Sequence, residues 1–422
     1  MHFYLESGGK LSGSIRVPGD KSMSHRSIML GSIAEGRTAV SGFLEGDDAL
    51  ATLAAFRAMG VGITDPDNGS LTIDGVGLRG LKAPADVMDV GNSGTSIRLM
   101  AGLLSGQAFD SIITGDNSLL RRPMARVITP LSQMGALISS REGCPPLEIR
   151  GGRPLTGFHY DLPVASAQVK SSVLLAGLYA SGRTSVTEPA PTRDHTERML
   201  TGFGYPVEVA DGVISLEGGG RLIGTDIDIP ADISSAAFFL VGASIAEGSD
   251  LVLEHVGINP TRDGVIRILR AMGADIETMN ERLVGGEPVA DLRVRSAPLR
   301  GIHIPVEEVP LAIDELPAVL IAAACAEGVT VLSGAEELRV KESDRIASMA
   351  EGLSQLGIYN TVQPDGIEVR GGELSGGVIA THHDHRIAMS FSMAALRATD
   401  RIKISDCSHV ATSFPGFAAL AS

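Results

Sequence analysis

One phrase recurs six times along the chain: an apolar, helix-like run, a break of small residues, and then a β-rich segment. A second phrase falls between these and ends in glycine, which predicts another helix closed by a left-handed cap. Self-similarity on this scale constrains the architecture more than any single element does. The breaks in the first phrase are marked by Gly36, Gly106, Gly182, Gly248, Gly328 and Asp400, at spacings of 70, 76, 66, 80 and 72 residues. The second phrase ends at Gly60, Gly135, Gly204, Gly273 and Gly357.

The repeats predict six α+β units of about 70 residues. Each unit has two helices and several short strands, and the sixth lacks its last strands. We expect two domains of three units. The alternative from another class is a wide acidic ring with six-fold pseudo-symmetry, similar to a DNA sliding clamp. A formal charge of −15 and the lack of any Trp argue against nucleic acid as a partner, because such proteins carry basic surfaces and stacking aromatic residues.

Cysteine usage and the lack of long apolar segments indicate the compartment. Cys144, Cys325 and Cys407 are far apart, so we expect neither a disulfide framework nor a thiolate zinc site. The first residues lack a basic region followed by an apolar run, and the longest apolar stretch, Ala318 to Ala326, is too short to cross a bilayer. We therefore expect a cytoplasmic protein without a membrane partner.

Basic side chains occur at helix starts, where they are unfavourable. Positive charge in a first turn opposes the helix macrodipole. A bound anion would resolve the conflict, because backbone N–H groups and basic side chains would converge on it. Ordinary N-capping is the alternative, and it explains the segment at Asp232. The cations in question are Lys21, Arg26, Arg98, Lys170 and Arg386.

Two more basic clusters lie elsewhere. Arg121 and Arg122 precede Pro123, which is expected to begin a helix. If the run Arg339–Arg345 is helical, Lys341 and Arg345 share a face and repel unless an anion lies between them. Solvated charges and surface salt bridges are the alternatives. The segment His382–Arg386 offers metal-ligating side chains, but its arginine would repel a cation, so we expect no metal ion and no cofactor.

The same segments carry a family resemblance. From residue 18 to residue 415 the sequence resembles the 5-enolpyruvylshikimate-3-phosphate (EPSP) synthases, which are enolpyruvyl transferases of the shikimate pathway. Any one motif is weak, but their joint occurrence in family order is specific. The matching segments are Pro18–Arg26, Gly91–Thr95, Arg122–Met124, Ser166–Ser171, Thr192–Thr196, Asp314–Pro317, Arg339–Arg345, Asp384–Arg386 and Ser413–Pro415.

The resemblance implies an α+β fold of two domains, each with three βαβαββ units arranged as an inside-out α/β barrel, with the active site in the interdomain cleft. One domain would comprise residues 1–16 and 230–422, and the other residues 17–229. The implied reaction transfers the enolpyruvyl group of phosphoenolpyruvate to the 5-hydroxyl of shikimate 3-phosphate and releases phosphate through a tetrahedral intermediate. The resemblance further implies a monomer.

Roles for individual residues follow from the matching motifs. Asp314 is the implied base at the hydroxyl, and Glu342 and Lys21 are the implied proton-transfer groups at the methylene carbon. The implied contacts of shikimate 3-phosphate are Lys21, Ser22, Arg26, Ser166, Ala167, Gln168, Arg193, Asp314 and Lys341. Those of phosphoenolpyruvate are Lys21, Gly94, Arg122, Gln168, Arg345 and Arg386.

Two positions depart from the pattern of some family members. Thr412 stands where a lysine occurs and Glu337 where an asparagine occurs, and we assign neither a role. Gly94 is the glycine that, in the family, leaves room for the inhibitor glyphosate, so we expect the enzyme to be sensitive to glyphosate.

Two other functions remain open. One is UDP-N-acetylglucosamine enolpyruvyl transferase, whose usual reactive cysteine has no counterpart near Leu119–Arg121. The other is a non-catalytic anion-binding protein.

Overall fold

The computed structural model describes residues 1–421. Contacts within the chain divide it into two compact units: unit 1 comprises Met1–Pro18 and the chain from Pro230 onward, and unit 2 comprises Gly19–Ile229. The expected division into domains 1–16 with 230–422 and 17–229 stays a prediction. Each unit has its own apolar core.

Helices and strands alternate throughout. The helices are α1 Lys21–Ile33, α2 Asp47–Ala58, α3 Gly94–Ser105, α4 Ala125–Gln133, α5 Ala167–Gly177, α6 His195–Gly202, α7 Ile233–Ile245, α8 Gly264–Ala271, α9 Val309–Ala312, α10 Leu316–Ala324, α11 Arg345–Gln355, α12 His385–Ala394 and α13 Phe417–Ala421. The strands are β1 Phe3–Leu5, β2 Ser12–Ile15, β3 Glu35–Ser41, β4 Gly62–Ile63, β5 Leu71–Val76, β6 Met88–Asp89, β7 Ser111–Thr114, β8 Leu137–Arg141, β9 Cys144–Arg150, β10 His159–Asp161, β11 Arg183–Thr187, β12 Glu208–Ala210, β13 Val213–Glu217, β14 Asp226–Asp228, β15 Asp250–Gly257, β16 Asp275–Val284, β17 Glu287–Arg295, β18 Val329–Leu332, β19 Asn360–Gln363, β20 Gly366–Arg370, β21 Gly377–Ala380 and β22 Ile402–Ser405.

Six small sheets confirm the six repeats, three in each unit. In unit 2 the strand orders are β14-β3-β5-β4, β6-β7-β9-β8 and β10-β11-β13-β12. In unit 1 they are β16-β17-β15-β2, β18-β20-β19 and β1-β22-β21. Within a repeat, the strand before the first helix pairs in parallel with the strand after it, as β6 pairs with β7 around α3. The last two strands then add antiparallel, which gives the βαβαββ order.

First strands are exchanged where the chain passes between the units. Strand β2 precedes α1 but pairs with β15, which follows α7. Strand β14 precedes α7 but pairs with β3, which follows α1. This exchange, together with the pairing of β1 with β22, ties the N-terminal segment to unit 1.

The first helices of the repeats form the interior of each unit. Helices α7 and α10 are buried along their whole length and carry no charged residue, which is typical of helices surrounded by protein. Helices α1, α3 and α5 have the same position in unit 2. Close packing of α3 on α5 requires Gly102, because a Cβ there would lie 2.0 Å from the carbonyl oxygen of Ser172. Helices inside and sheets outside match the fold expected from the family resemblance.

The predicted glycine caps are confirmed. The helices α2, α4, α6, α8 and α11 each end two residues before a glycine with positive φ, at Gly60, Gly135, Gly204, Gly273 and Gly357. The expectation that Pro123 begins a helix is wrong, since Leu119–Arg121 form a 3₁₀ turn and α4 begins at Ala125. Within residues 1–421, the structure has no helix that combines the length and the apolar character needed to span a bilayer.

Candidate functional site

Helix α1 begins with a buried cap and a paired lysine. Asp20 accepts a hydrogen bond from the backbone N–H of Met23 at 2.7 Å and is the N-cap of the helix. The ammonium group of Lys21 pairs with Asp48 at the start of α2, and the lysine side chain stays 22% exposed. Asp48 therefore offsets the conflict between Lys21 and the helix dipole while the lysine remains within reach of a ligand. Ser22 is half-buried in the same turn.

Arg26 lies inside unit 2 and joins three helices. Its Nε donates to Thr196 Oγ1 at 2.7 Å, its Nη1 to the Ser22 carbonyl at 2.9 Å, and its Nη2 to Ser171 Oγ at 2.8 Å. The residue is 3% exposed. Arg26 thereby fixes the start of α1 against α5 and α6.

His25 is buried one turn into the same helix. Its Nδ1 lies 2.8 Å from Thr52 Oγ1 and 3.3 Å from Ser96 Oγ, so the ring connects α1 with α2 and α3. Burial, and after it the charges of Lys21 and Arg26, lower the pKa of His25 well below its usual value. The ring therefore stays neutral beside two cations.

Two guanidinium groups flank the start of α3. A Cβ added at Gly94 would lie 2.8 Å from Arg98 Nη1 and 3.0 Å from Arg122 Nη1. Arg122 donates to Asn92 Oδ1 at 2.5 Å. Arg98 donates to Gln168 Oε1 at 2.8 Å, and Gln168 Nε2 donates to Thr95 Oγ1 at 3.1 Å. Two cations and a helix N-terminus around a residue without a side chain form a site suited to a phosphate or carboxylate group.

The start of α5 differs from this arrangement. Ser166 caps the helix by accepting from the N–H of Val169, and Ala167 and Gln168 are half-buried beside it. Lys170 is 1% exposed, and its ammonium lies 2.8 Å from both Glu188 and Glu197. Burial alone would lower the pKa of Lys170, but the two carboxylates outweigh it and raise that pKa. The charge of Lys170 is thus compensated within the protein, so this lysine needs no bound anion.

Arg193 lies in the loop just before α6. Arg193 is half-buried. Both of its neighbours in the sequence are held in place: the carbonyl oxygen of Thr192 lies 3.4 Å from Lys170 Nζ, and the carboxylate of Asp194 accepts a hydrogen bond from Arg198 at 2.8 Å. In unit 2, then, the predicted residues gather at the starts of α1, α3, α5 and α6. The sequence did not single out Asp48, and Arg98 was noted only as one of several cations at helix starts.

In unit 1, three helix starts meet at Arg345. The side chain of Arg345 is 1% exposed and contacts three carboxylates: Asp384 at 2.8 Å, Asp314 at 3.1 Å and Glu342 at 2.6 Å. Arg345 begins α11, Asp384 caps α12, and Asp314 lies just before α10. Burial alone would lower the pKa of Arg345, but these carboxylates outweigh it and raise the pKa. The reciprocal attraction lowers the pKa of Asp384.

Asp314 is surrounded by cations. Besides Arg345, Lys341 Nζ lies 3.9 Å from Oδ1 and Arg386 Nη2 lies 3.9 Å from Oδ2. Arg386 Nη1 also donates to the Asp314 carbonyl at 2.9 Å. This carboxylate is 16% exposed and faces three positive groups. The same cations could attract an anion.

Glu337, to which no role was assigned, contacts the site. Its carboxylate lies 2.9 Å from Lys341 Nζ. The run Arg339–Arg345 is not one helix, because a 3₁₀ helix ends at Val340 and α11 begins at Arg345, so the condition for Lys341 and Arg345 to share a helix face is not met. The i,i+4 partner of Lys341 is therefore Glu337, not Arg345. Thr412 turns toward its own backbone, since its Oγ1 donates to the carbonyl of His409 at 2.6 Å.

A second buried polar network adjoins Asp314. Its neighbour Glu315 is 1% exposed, contacts Ser234 and lies 3.6 Å from Arg262. Arg262 Nη2 also bonds to Asp232 at 3.0 Å. Asp232 caps α7 as predicted, and this arginine gives it a further role that the sequence did not indicate. The network fixes the backbone that carries Asp314.

Comparisons with known proteins agree with the sequence resemblance. Residues 5–420 match the family model described as EPSP synthase (3-phosphoshikimate 1-carboxyvinyltransferase). The chain is 67% identical to the 3-phosphoshikimate 1-carboxyvinyltransferase of Alkalilimnicola ehrlichii, over 100% of this chain and 95% of that protein. It is 66% identical to the enzyme of the same name from Methylococcus capsulatus, over 99% and 96%. A solved structure of EPSP synthase from Acinetobacter baumannii superimposes with a TM-score of 0.90 at 61% identity, covering 100% of this chain and 97% of that one.

The lowered pKa of His25 predicts a specific pH dependence. We predict that the imidazole stays neutral at about pH 6, where an ordinary histidine is largely protonated, and that ¹⁵N NMR of the ring will show this. Because the unfolded chain binds this proton and the folded chain does not, stability falls as the pH drops below about 6.5. His25→Asn should show a shallower fall, whereas the exposed His303→Asn should not. Titration of the His25 ring near the ordinary value would contradict the prediction.

Proposed function

The chain belongs to the EPSP synthase family, and from that membership we propose how its residues divide the work of the reaction. The enzyme transfers the enolpyruvyl group of phosphoenolpyruvate to shikimate 3-phosphate, a transferase step of aromatic amino-acid biosynthesis. Both substrates are polyanions. The observation that carries the proposal is the cation-lined carboxylate Asp314, which is suited to a base whose strength depends on bound anions.

In the proposed addition step, the 5-hydroxyl oxygen of shikimate 3-phosphate bonds to C2 of phosphoenolpyruvate. Asp314 takes the hydroxyl proton, and C3 gains a proton from Glu342 or Lys21. In the elimination step the tetrahedral intermediate loses phosphate from C2 and a proton from C3, which restores the double bond. One proton enters and one leaves at C3, so the group that gives the first proton is left in the form that can take the second.

The positive charges around Asp314 regulate this base. Without substrate, Arg345, Lys341 and Arg386 are the positive groups that face this carboxylate. When the phosphate and carboxylate of phosphoenolpyruvate bind Arg345 and Arg386, their negative charge compensates these cations. Bound phosphoenolpyruvate would thus reduce the net positive charge around Asp314, which favours transfer of the hydroxyl proton to it.

Residues of unit 2 would hold the remaining anionic groups. We propose that phosphoenolpyruvate binds at the start of α3, where Arg98 and Arg122 flank a residue without a side chain. Its proposed contacts there are Lys21, Gly94, Arg122 and Gln168. The proposed contacts of shikimate 3-phosphate are Lys21, Ser22, Arg26, Ser166, Ala167, Gln168 and Arg193, together with Asp314 and Lys341 from unit 1. Arg26 and Gln168 are already held by hydrogen bonds, so they lose little conformational freedom on binding.

We propose that the enzyme is a monomer of the cytoplasm. Its three cysteines are free thiols, which is typical of a reducing compartment. The UDP-N-acetylglucosamine enolpyruvyl transferase function is not supported, because the relatives share the name 3-phosphoshikimate 1-carboxyvinyltransferase. Sedimentation at working concentration tests the monomer.

Removing the base should abolish turnover but not binding. For Asp314→Asn we predict a fall in kcat of about 10²–10⁴-fold, the range for loss of a general base, with shikimate 3-phosphate still bound in calorimetry. The matched control is Asp275→Asn, an exposed carboxylate of the same unit that pairs with Arg295. Its rate should be unchanged. A near-normal kcat for Asp314→Asn would remove Asp314 from the mechanism.

A methyl group at position 94 should act on one substrate only. In Gly94→Ala the new Cβ would displace the guanidinium groups of Arg98 and Arg122. We predict that the KM for phosphoenolpyruvate rises about tenfold, in keeping with the sensitivity of binding sites to ~1 Å misplacement, while the KM for shikimate 3-phosphate changes little. Glyphosate should inhibit the wild-type enzyme and inhibit the variant far less. Equal rises in both KM values, or a wild type insensitive to glyphosate, would contradict this account.

A further inference from the structure

Two histidines and an aspartate meet on the surface of unit 1, and none of the three has a role in the proposed reaction. His383 Nδ1 lies 2.5 Å from Asp406 Oδ2 and 3.2 Å from His409 Nε2. Each side chain offers one atom that could bind a metal ion, either a ring nitrogen or a carboxylate oxygen, and these three atoms lie within 4.8 Å of one another. The two imidazole rings are nearly perpendicular, with centroids 5.2 Å apart.

The sheet brings these residues together. Strands β21 and β22 are parallel neighbours, with Ala380 opposite Ser405, so the segments that leave their carboxyl ends run side by side. Thr381 Oγ1 joins the two segments by donating to the Asp406 carbonyl at 2.9 Å. His383 and Asp406 have φ angles of 62° and 55°, a conformation that residues other than glycine rarely adopt.

We propose that His383, Asp406 and His409 form a binding site for one divalent transition-metal ion of the Zn²⁺, Co²⁺ or Ni²⁺ class. Two imidazole nitrogens and one carboxylate are ligands that such ions favour, and three protein ligands leave a fourth tetrahedral position for water. Zinc–nitrogen bonds of about 2.0–2.1 Å place tetrahedral ligands about 3.3 Å apart. The separation of His383 Nδ1 and His409 Nε2 already has that size. Asp406 Oδ2, which lies 2.5 Å from His383 Nδ1, must move away by about 1 Å to reach this spacing.

The other side chains of the segment His382–Arg386 have different contacts. His382 Nε2 lies 2.9 Å from Glu351, and His385 is buried in α12. Arg386, whose charge argued against a metal ion at the sequence level, donates to the carbonyl of Asp314. The metal site therefore differs from a cluster of consecutive histidines, because two of its three ligands come from the segment after β22.

Binding there would fasten two segments next to the catalytic network. Asp384 follows His383 directly and accepts from Arg345 at 2.8 Å. His409 belongs to the 3₁₀ helix Ser408–Thr412, which precedes Phe414 in the core. A metal ion linking these segments would hold the backbone of Asp384 in place and stabilise unit 1. No step of the reaction passes through the ion.

The test uses the full-length enzyme without an affinity tag, freed of metal by chelation. Calorimetry with ZnCl₂ should show one equivalent bound, and CoCl₂ should give the visible absorption bands of a tetrahedral complex. His383→Gln, Asp406→Asn and His409→Gln should each weaken binding by about tenfold or more, as changes around metal sites do. The matched control His382→Gln should bind as the wild type does.

Thermal unfolding supplies a second readout that does not depend on the spectra. ZnCl₂ should raise the Tm of the wild type and of His382→Gln, but not of His383→Gln or His409→Gln, because only bound metal stabilises the folded state. The circular dichroism spectra of the variants show whether they are folded. Lack of stoichiometric binding by the wild type, or equal binding by all the variants, would overturn the proposal. The three side chains would then serve only to hydrogen-bond one another.

Discussion

The buried charge of Arg345 is the constraint on which the chemistry of unit 1 depends. A guanidinium group with 1% exposure is stable only if carboxylates compensate its charge. Asp314, Glu342 and Asp384 come from the starts of three different helices. Arg345 therefore fixes where α10, α11 and α12 begin, and holds the proposed base and acid in one place.

The six repeats explain why the polar residues gather as they do. In each unit the first helices of the repeats are buried beside one another, so the residues along them are largely apolar. The polar and charged residues that could bind a ligand therefore lie at the helix starts. Unit 2 uses the same plan with different charges. The start of α3 presents two arginines around Gly94, whereas the start of α5 carries Lys170, already neutralised by Glu188 and Glu197. Equivalent positions in the repeats thus serve either binding or stability.

Features encoded locally could be predicted from the sequence. The glycine caps and the helix starts at Asp20 and Asp232 depend on residues a few positions apart, and the motifs of the family named the residues near Gly94 and Asp314. Pairings across the fold could not be predicted. Glu188 and Glu197 reach Lys170 from a loop and from α6, and Arg339 donates to the carbonyls of Gln363 and Pro364 at the end of β19. His383 and Asp406 become neighbours only because β21 and β22 pair.

We propose that a minority of the basic groups in this acidic protein binds shikimate 3-phosphate and phosphoenolpyruvate and positions them for enolpyruvyl transfer. The most direct measurement is the initial rate of phosphate release by the purified enzyme with shikimate 3-phosphate and phosphoenolpyruvate together, compared with each alone and with UDP-N-acetylglucosamine in place of shikimate 3-phosphate. We expect catalytic release only when shikimate 3-phosphate and phosphoenolpyruvate are both present. No release with that pair, or equal release with UDP-N-acetylglucosamine, would contradict it.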